Sequence, residues 1–278
     1  MNRTPVSQEL KTVGVVGAGR MGTPIIGHLA RRRFATRVFD RDSARAEAAE
    51  KLGAKWAGSA AALAAECDAI LVCVGFDREV RELLAEGGPV RKARRGAVIA
   101  ILSTIHPKTV QSLAREAGGA GLDVVDSTVC RGGEAADSGT LLSFVGGSAE
   151  VVGRLTPVLR AYSSDVVHTG GVGTAQVAKA ANNLILWACL VADHEGLALA
   201  QHYGVDMEAL RRALLISSCA NGPLEKWGTQ TMAWAEDDMA IVAEMAAEAG
   251  IALPQAGVNR EICRVLKPIR YQLDRYGR

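Results

Sequence analysis

The stretch that decides the fold runs from Thr12 to Gly22 and reads TVGVVGAGRMG. Its first five residues form a short β-branched run, and Gly17, Gly19 and Gly22 follow at the spacing G-x-G-x-x-G. A segment of helical character comes next, and Asp40 ends the apolar run after it. Strand, glycine turn, helix and acidic residue in this order are typical of a dinucleotide-binding unit.

Each glycine of this turn has a separate physical role. Gly17 permits the tight turn, Gly19 lets the backbone approach a pyrophosphate, and Gly22 lets the helix pack close to the strand. The free N–H groups at the helix start then hold the phosphates. The candidate cofactor residues of the turn are Gly17, Ala18, Gly19, Arg20, Met21 and Gly22.

Two neighbouring residues bear on the choice between NAD and NADP. Asp40 is placed to accept hydrogen bonds from the adenosine ribose hydroxyls and to repel a 2′-phosphate. Arg41 follows directly, and an arginine there can instead bind that phosphate. Because of Asp40, the sequence favours NAD slightly over NADP.

The first half of the chain alternates apolar runs with helical segments, which predicts an α/β fold with a doubly wound parallel sheet. The predicted strands are 12–16, 36–39, 69–74, 97–102 and 122–125, with 141–145 and 166–167 later. After the breaker Gly170-Gly171-Val172-Gly173, a helix of about residues 174–203 is predicted, long enough to link two domains. The predicted organisation is a Rossmann domain over residues 1–171 and an all-helical domain over residues 172–278.

Composition argues against several other classes of protein. The chain has 278 residues, 49% of them hydrophobic, and a net charge of +2, so a nucleic-acid partner is not expected. No uninterrupted apolar run reaches the roughly 18 residues of a membrane span, and the N-terminal residues lack the apolar core of a signal peptide. The six cysteines are scattered without a C-x-x-C pair, and no His/Asp/Glu cluster predicts a metal. A cytoplasmic protein with reduced thiols is expected.

Four segments in order make the chain resemble the β-hydroxyacid dehydrogenase family, which includes 3-hydroxyisobutyrate dehydrogenase and tartronate semialdehyde reductase and is related to 6-phosphogluconate dehydrogenase. They are VGVVGAGRMGTPI, Ser103-Thr104-Ile105, the run from Asp126 to Gly133 with Gly139-Thr140-Leu141 and Gly146-Gly147, and Lys179-Ala-Ala-Asn182-Asn183. The resemblance implies hydride transfer with NAD or NADP, a small-molecule substrate between the two domains, and a homodimer or tetramer. It also implies that Thr104 borders the nicotinamide ribose. Val74 and Gly75 then lie in a loop over the cofactor, where Gly75 replaces the usual proline and suggests a looser loop.

The predicted catalytic residues are Lys179 and Asn183. On a helix Lys179 and Asn183 share a face, with Asn182 beside them. In the K-x-x-N-N pattern of the family, the lysine contacts the reacting oxygen and the second asparagine orients the substrate. A lysine beside the oxidised nicotinamide can take the alcohol proton, and its ammonium form can stabilise a developing alkoxide.

The substrate loop departs from the family pattern D-A-P-V-S-G-G. Cys130 falls where the family has serine and Arg131 where it has the first glycine, with Gly132 after them. The thiol of Cys130 is a far weaker donor than a hydroxyl. Two interpretations of Arg131 stay open: a bidentate clamp on an anionic substrate, or a side chain that points to solvent while the pocket takes a different substrate.

A second position also departs from the family pattern. Asp237 falls where the family often has a lysine that closes over the active site.

The main hypothesis for the function is a dehydrogenase or reductase of a small 3-hydroxyacid or its semialdehyde. Imine reductases resemble the same family but generally lack the lysine at position 179. The altered loop also allows a non-catalytic nucleotide-binding regulator or scaffold.

Overall fold

The chain divides into two compact units in this computed structural model, which describes residues 9–277. One unit extends up to Lys179, and the other begins at Ala180. The predicted domain boundary at residues 171 and 172 lies earlier, just before the long helix. The N-terminal residues 1–8, on which part of the signal-peptide prediction rests, lie outside the described residues.

The first unit is built on one sheet. Its strands are β1 (Thr12–Val16), β2 (Ala35–Phe39), β3 (Lys55–Trp56), β4 (Ala69–Val72), β5 (Val98–Ile101), β6 (Asp123–Asp126), β7 (Val129–Cys130), β8 (Leu141–Gly146) and β9 (Ser163–Gly170). The spatial order is β3-β2-β1-β4-β5-β6-β8-β7, and β9 pairs with β8. The pairs from β3 to β6 are all parallel, which confirms the predicted doubly wound Rossmann sheet. Strand β8 runs antiparallel to β6 and β7, a reversal that the alternation of apolar runs did not predict.

Helices connect these strands and continue into the second unit. They are α1 (Gly22–Arg31), α2 (Ala46–Lys51), α3 (Ala60–Glu66), α4 (Asp77–Leu84), α5 (Pro107–Gly118), α6 (Gly132–Ser138), α7 (Ala149–Leu159) and α8 (Thr174–His202). The second unit adds α9 (Met207–Leu214), α10 (Gly222–Glu225), α11 (Ala235–Ala249) and α12 (Pro254–Leu266). Helix α8 matches the predicted long helix and continues across the division between the units.

The apolar strands are buried on both faces, as their unbroken hydrophobic runs predict. One core cluster contains Leu71 of β4 and Ala100 of β5. Another contains the residues that precede them, Ile70 and Ile99. Successive side chains of a strand point to opposite faces of the sheet. The two clusters therefore lie on the two sides of the sheet.

The chain between α10 and α11 is not helical. Helix α10 ends at Glu225 and α11 begins only at Ala235. Between them Gly228 and Met232 have positive φ angles of 92° and 56°. Such residues cannot continue a right-handed helix, so the chain turns before α11 starts.

Helix α8 is, among the described residues, long and apolar enough by length and composition to cross a membrane, and 33% of its most apolar window is buried. A core helix of a folded protein passes the same test. In the second unit Trp187, Leu190 and Val191 of this helix pack with Met239 and Cys263. Part of its apolar surface thus forms the core of the helical unit.

His194 lies in that unit as a fully buried side chain. Its Nε2 accepts a 2.9 Å hydrogen bond from the backbone N–H of Tyr271, so its Nδ1 carries the proton and donates to the carbonyl of Leu190 at 2.7 Å. The ring centroid of Trp227 lies 4.5 Å away. Burial lowers the pKa of His194 below its usual 6.5. The residue is placed as a neutral structural group.

We expect this histidine to make folding depend on pH. The unfolded chain binds a proton at His194 once the pH falls below 6.5, and the folded chain does not until the pH is lower still. The free energy of unfolding should therefore fall in that window by up to about 1.4 kcal/mol per pH unit. Denaturant titrations monitored by tryptophan fluorescence measure it. His194→Gln should reduce the slope, and an equal slope in both proteins would contradict the assignment.

Candidate functional site: a dinucleotide turn and a lysine in the first unit

The glycine-rich turn has the geometry that its spacing predicts. Gly17 has a φ angle of 103°, and a Cβ there would overlap the carbonyl oxygen of Cys73. A Cβ on Gly22 would overlap the carbonyl of Gly17. At Gly19 the nearest atom is the movable guanidinium end of Arg45, 3.4 Å from an added Cβ. The turn is thus closed on the side of the sheet and open where a phosphate would approach.

Asp40 holds this turn from the end of β2. Its Oδ2 accepts a 2.7 Å hydrogen bond from the N–H of Ala18, and its Oδ1 accepts one of 2.9 Å from the N–H of Asp42. Arg45 donates to the carbonyl of Ala18 at 2.7 Å, with its Nη1 3.8 Å from the Asp40 carboxylate. The predicted ribose-binding carboxylate therefore lies at the turn, as its position in the sequence indicates.

The start of α1 fits a dinucleotide. Its N-terminal Met21 provides no side-chain cap, and its first turn carries no acidic residue. The first N–H groups of a helix lack intrahelical partners, and the helix dipole favours an anion there. A cleft of about 610 Å³ opens beside the turn, lined in part by Gly19, Arg20 and Arg45. These residues can hold the pyrophosphate of NAD or NADP.

Arg20 joins the cofactor turn to the predicted substrate loop. Its guanidinium donates two hydrogen bonds, of 2.8 and 2.7 Å, to the carboxylate of Asp137 in α6. It also lies against Gly133, where an added Cβ would collide with it. The hydrogen bond and charge of Arg20 lower the pKa of Asp137. The two motifs, more than a hundred residues apart in the chain, meet at one exposed ion pair.

The loop at Val74 and Gly75 is held by one carboxylate. Glu79 accepts hydrogen bonds from the N–H groups of Gly75 and Phe76 at 2.9 and 3.1 Å. Its other oxygen lies 2.8 Å from the guanidinium of Arg41. The absence of proline at Gly75 suggested a looser loop, and in the structure Glu79 restrains this loop through two backbone N–H groups.

The segment 103–105 is fixed by residues on both sides of it. Ser103 Oγ donates to the carbonyl of Val74 at 2.8 Å and accepts from its N–H at 3.1 Å. The buried amide of Gln176 bonds both ends of the segment: its Nε2 donates to the carbonyl of Ser103 at 2.8 Å, and its Oε1 accepts from the N–H of Ile105 at 3.0 Å. Thr104, half-buried, lies between these two points.

Asp126 fixes the start of α8 in the same way. Its carboxylate, fully buried at the end of β6, accepts from the N–H of Gly173 at 2.7 Å and from the N–H of Gln176 at 2.9 Å. Thr128 donates to the carbonyl of Ala175 at 3.0 Å. Burial raises the pKa of Asp126, and the amide bonds oppose that rise. The first turn of α8 is therefore attached to the carboxyl ends of β5 and β6.

Lys179 follows one turn later on this helix. Its Nζ donates to the carbonyl of Val129 at 2.8 Å and lies 3.8 Å from the Sγ of Cys130. Both partners belong to β7, in the loop region that the sequence assigns to the substrate. The structure thus brings the predicted lysine to the predicted substrate segment, with the ammonium group half-buried.

Arg131 adopts a left-handed backbone with a φ angle of 85°. Its Nη1 donates to the carbonyl of Thr140 at 3.0 Å, to the hydroxyl of Ser164 at 2.8 Å and to the carboxylate of Asp165 at 2.7 Å. The hydroxyl of Ser164 and the charge of Arg131 lower the pKa of Asp165. The Nη1 of the guanidinium is thus bonded to the protein on an exposed edge, an arrangement that neither interpretation of Arg131 predicted.

Three residues that the sequence analysis singled out lie in the second unit: Asn182, Asn183 and Asp237. Asn182 donates from Nδ2 to the Oδ1 of Asn183 at 3.0 Å, and Asn183 is buried. Asp237 is exposed in the first turn of α11, whereas its neighbour Asp238 is buried and accepts from the indole of Trp187 at 2.9 Å.

Sequence reasoning missed two residues that position this site, Gln176 and Glu79. Each is an ordinary polar residue on a helix, and its role depends on where the helix meets a strand end or a loop. The signal for Glu79 was local, since an acidic residue in the first turn of a helix after a loop is typical of a cap. No local signal marks Gln176.

The comparisons with known proteins agree with this geometry. Residues 12–171 match the family model described as the NAD binding domain of 6-phosphogluconate dehydrogenase. Residues 173–272 match the model described as the NAD-binding of NADP-dependent 3-hydroxyisobutyrate dehydrogenase. The chain is 30% identical to the 3-hydroxyisobutyrate dehydrogenase of Pseudomonas aeruginosa over 213 residues. This alignment covers 76% of the chain and 72% of that protein.

Two solved structures share the fold. One is a 3-hydroxyisobutyrate dehydrogenase of Mycobacterium tuberculosis that was solved with L-serine. Its TM-score is 0.84 at 23% identity, and the alignment covers 93% of this chain and 94% of that one. An imine reductase variant of Myxococcus stipitatus, solved with NAD⁺, has a TM-score of 0.69 at 20% identity and covers 95% and 96%.

The glycine turn, the acidic residue after β2 and these matches define an NAD(P)-dependent oxidoreductase. The chain belongs to the β-hydroxyacid dehydrogenase family, as its four motifs indicated. Membership of a family of dehydrogenases favours an enzyme over the non-catalytic regulator.

Asp126→Asn tests the attachment of α8. The amide that replaces the carboxylate has one acceptor oxygen, so one of the two buried N–H groups loses its partner. The free energy of unfolding should fall by about 1–3 kcal/mol, measured in denaturant titrations. Asp165→Asn, on the exposed edge, is the matched control and should leave stability close to that of the wild type. An equal effect of the two substitutions would contradict the role of Asp126.

Proposed function

We propose that this enzyme transfers a hydride between the nicotinamide of NAD(P) and a small 3-hydroxyacid or its semialdehyde, with Lys179 as the proton donor and acceptor. The observation that carries the proposal is the contact of Lys179 Nζ with the carbonyl of Val129 and the sulfur of Cys130. The name of the Pseudomonas relative and the L-serine of the mycobacterial structure support a small hydroxyacid.

Lys179 suits both directions of such a reaction. The bound nicotinamide supplies or accepts the hydride. When an alcohol is oxidised, the neutral amine of Lys179 can take the hydroxyl proton, and when a carbonyl is reduced its ammonium group can return one. The single carbonyl bond to Val129 leaves donor capacity, because an ammonium group has three N–H donors. A substrate oxygen can use that capacity.

Asp40 supports NAD as the preferred cofactor. Its carboxylate stands at the turn, where it can accept from ribose hydroxyls and repel a 2′-phosphate. Arg41, the residue that could bind such a phosphate, is paired with Glu79 instead. Arg45 lies close enough to Asp40 to offset part of its negative charge. The proposed preference for NAD over NADP is therefore modest.

The substrate loop supports a substrate that depends little on Arg131. Its guanidinium is bonded to Ser164 and Asp165 of β9 and to the carbonyl of Thr140, just before β8. An anion that bound this Nη1 would have to displace its charge-assisted bonds to the protein. We propose that Arg131 holds the loop in its left-handed conformation while Lys179 and the backbone meet the substrate.

The cellular location and the oligomeric state stay predictions. A cytoplasmic homodimer or tetramer is what the sequence and its family resemblance suggest. Asn182 and Asn183 likewise keep their predicted roles near the substrate, and Asp237 stays the predicted replacement of the family lysine.

Lys179→Ala tests the proton-transfer role. Turnover should fall by about 10²–10⁴-fold, the usual contribution of a positioned acid–base group, while the Kd for the cofactor stays nearly unchanged. Nicotinamide absorbance with NAD and NADP against a panel of 3-hydroxyacids and semialdehydes measures turnover, and calorimetry measures binding. Lys51→Ala is the control, because Lys51 is exposed and its ion pair is with Glu47, one turn away on the same helix. Substantial turnover in Lys179→Ala would remove the residue from the mechanism.

Asp40→Asn tests cofactor selection. The wild type should show a higher kcat/KM with NAD than with NADP, and the substitution should shift the ratio towards NADP because the repelling charge is gone. Asp42→Asn is the matched control, since Asp42 caps the next helical turn through the N–H of Ala44. A wild-type enzyme that clearly prefers NADP would contradict the assignment.

A further inference from the structure

Cys130 and Lys179 form a close thiol–amine pair. The Nζ of Lys179 lies 3.8 Å from the Sγ of Cys130 and is oriented by its 2.8 Å bond to the carbonyl of Val129. Cys130 is 4% exposed, and Lys179 is half-buried. An amine nitrogen therefore stands next to a sulfur at the place where the proposed function puts the substrate.

Two rigid elements set this distance. Cys130 ends β7, where it pairs with Leu142 of β8. Lys179 lies on α8, whose first turn is bonded to Asp126 and Thr128. The pair is thus brought together by packed backbone, and only the lysine side chain needs to move for the two atoms to meet.

We propose that hydrogen peroxide converts this pair into a covalent Sγ–Nζ crosslink. In the first step the thiolate of Cys130 attacks the O–O bond and an S–O bond forms. The leaving hydroxide takes a proton from the Lys179 ammonium and departs as water, which leaves a sulfenic acid beside a neutral amine. In the second step the amine attacks the sulfur, an S–N bond forms and the S–O bond breaks. The oxygen takes the proton from nitrogen and leaves as a second water. The sulfur is oxidised, the peroxide is reduced, and the chain loses two hydrogen atoms.

The other cysteines that the structure describes have different surroundings, and burial raises the pKa of one of them, the half-buried Cys189. Burial raises the pKa of Cys67 and Cys73 to about 12 and that of Cys263 to about 11, so these thiols stay protonated. Cys219 is exposed, and its sulfur lies 3.1 Å from the hydroxyl of Ser217. Positive charge beside a sulfur favours the thiolate, which is the form that peroxide oxidises. In contrast, the sulfur of Cys130 has the side-chain nitrogen of Lys179 3.8 Å away.

The crosslink occupies the nitrogen that the proposed function assigns to proton transfer. Oxidised protein should therefore lose turnover, and a dithiol should restore it by attacking the S–N bond and releasing the amine. The prediction about turnover rests on the proposed function, whereas the covalent bond itself does not.

The experiment treats the purified full chain with hydrogen peroxide and removes the excess with catalase. The intact mass without reductant should fall by two hydrogen atoms, and peptide mapping should join the peptides that contain Cys130 and Lys179. Dithiothreitol should return both the original mass and the turnover. A wild-type chain that only gains oxygen at Cys130, or that loses two hydrogens through a disulfide, would overturn the proposal.

Three variants separate the outcomes, each compared with its own untreated rate. Cys130→Ser should show no linked peptides and retain its starting turnover after peroxide. Lys179→Arg keeps the charge but has no primary amine, so Cys130 should gain oxygen and remain unlinked. Cys219→Ser should crosslink like the wild type. Linked peptides with undiminished turnover would support the crosslink and contradict the proton-transfer role of Lys179.

Discussion

The buried carboxylate of Asp126 is the constraint on which the site depends. It stands at the end of β6 and accepts the N–H groups of Gly173 and Gln176, which sets both the starting point and the direction of α8. A Cβ on Gly146 would collide with this carboxylate, so the neighbouring strand must have glycine there. Since Lys179 lies one turn after Gln176, its reach to β7 follows from the anchoring of a helix end. Buried polar networks of this kind are rigid because every group in them must keep its partner.

A second set of contacts brings the cofactor turn and the substrate segment together. Arg20 extends from the turn to Asp137 of α6, and Gln176 connects the segment 103–105 with α8. Distant motifs of the sequence thereby share one edge of the sheet, beyond the carboxyl ends of β1, β4 and β5. Ligands of open α/β sheets bind at this edge, because the glycine turn and the strand-end loops meet there. The site consequently needs few charged residues, each held by a partner from another motif.

The sequence predicted the strands, the cofactor turn and the long helix because those signals are local: apolar runs, glycine spacing and a breaker before residue 174. The two-residue strands β3 and β7 are too short for such a signal, and the reversed strand β8 depends on pairing. The placement of Arg131 could not be predicted either, since its acceptors lie on strands that the chain reaches later. Gln176 shows the same limit, because a glutamine on a helix acquires its role only from the strand ends beside it.

The pairing of Arg41 with Glu79 has a consequence for communication across the site. One carboxylate meets the guanidinium at the adenosine end and also holds the amides of Gly75 and Phe76. A ligand that draws Arg41 away leaves Glu79 with its amide bonds alone, and an event that frees the loop leaves Arg41 without its counter-ion. By thermodynamic linkage the two effects have equal free energies. Glu79 thus links the position of Arg41, next to Asp40, to the backbone of the Val74–Gly75 loop.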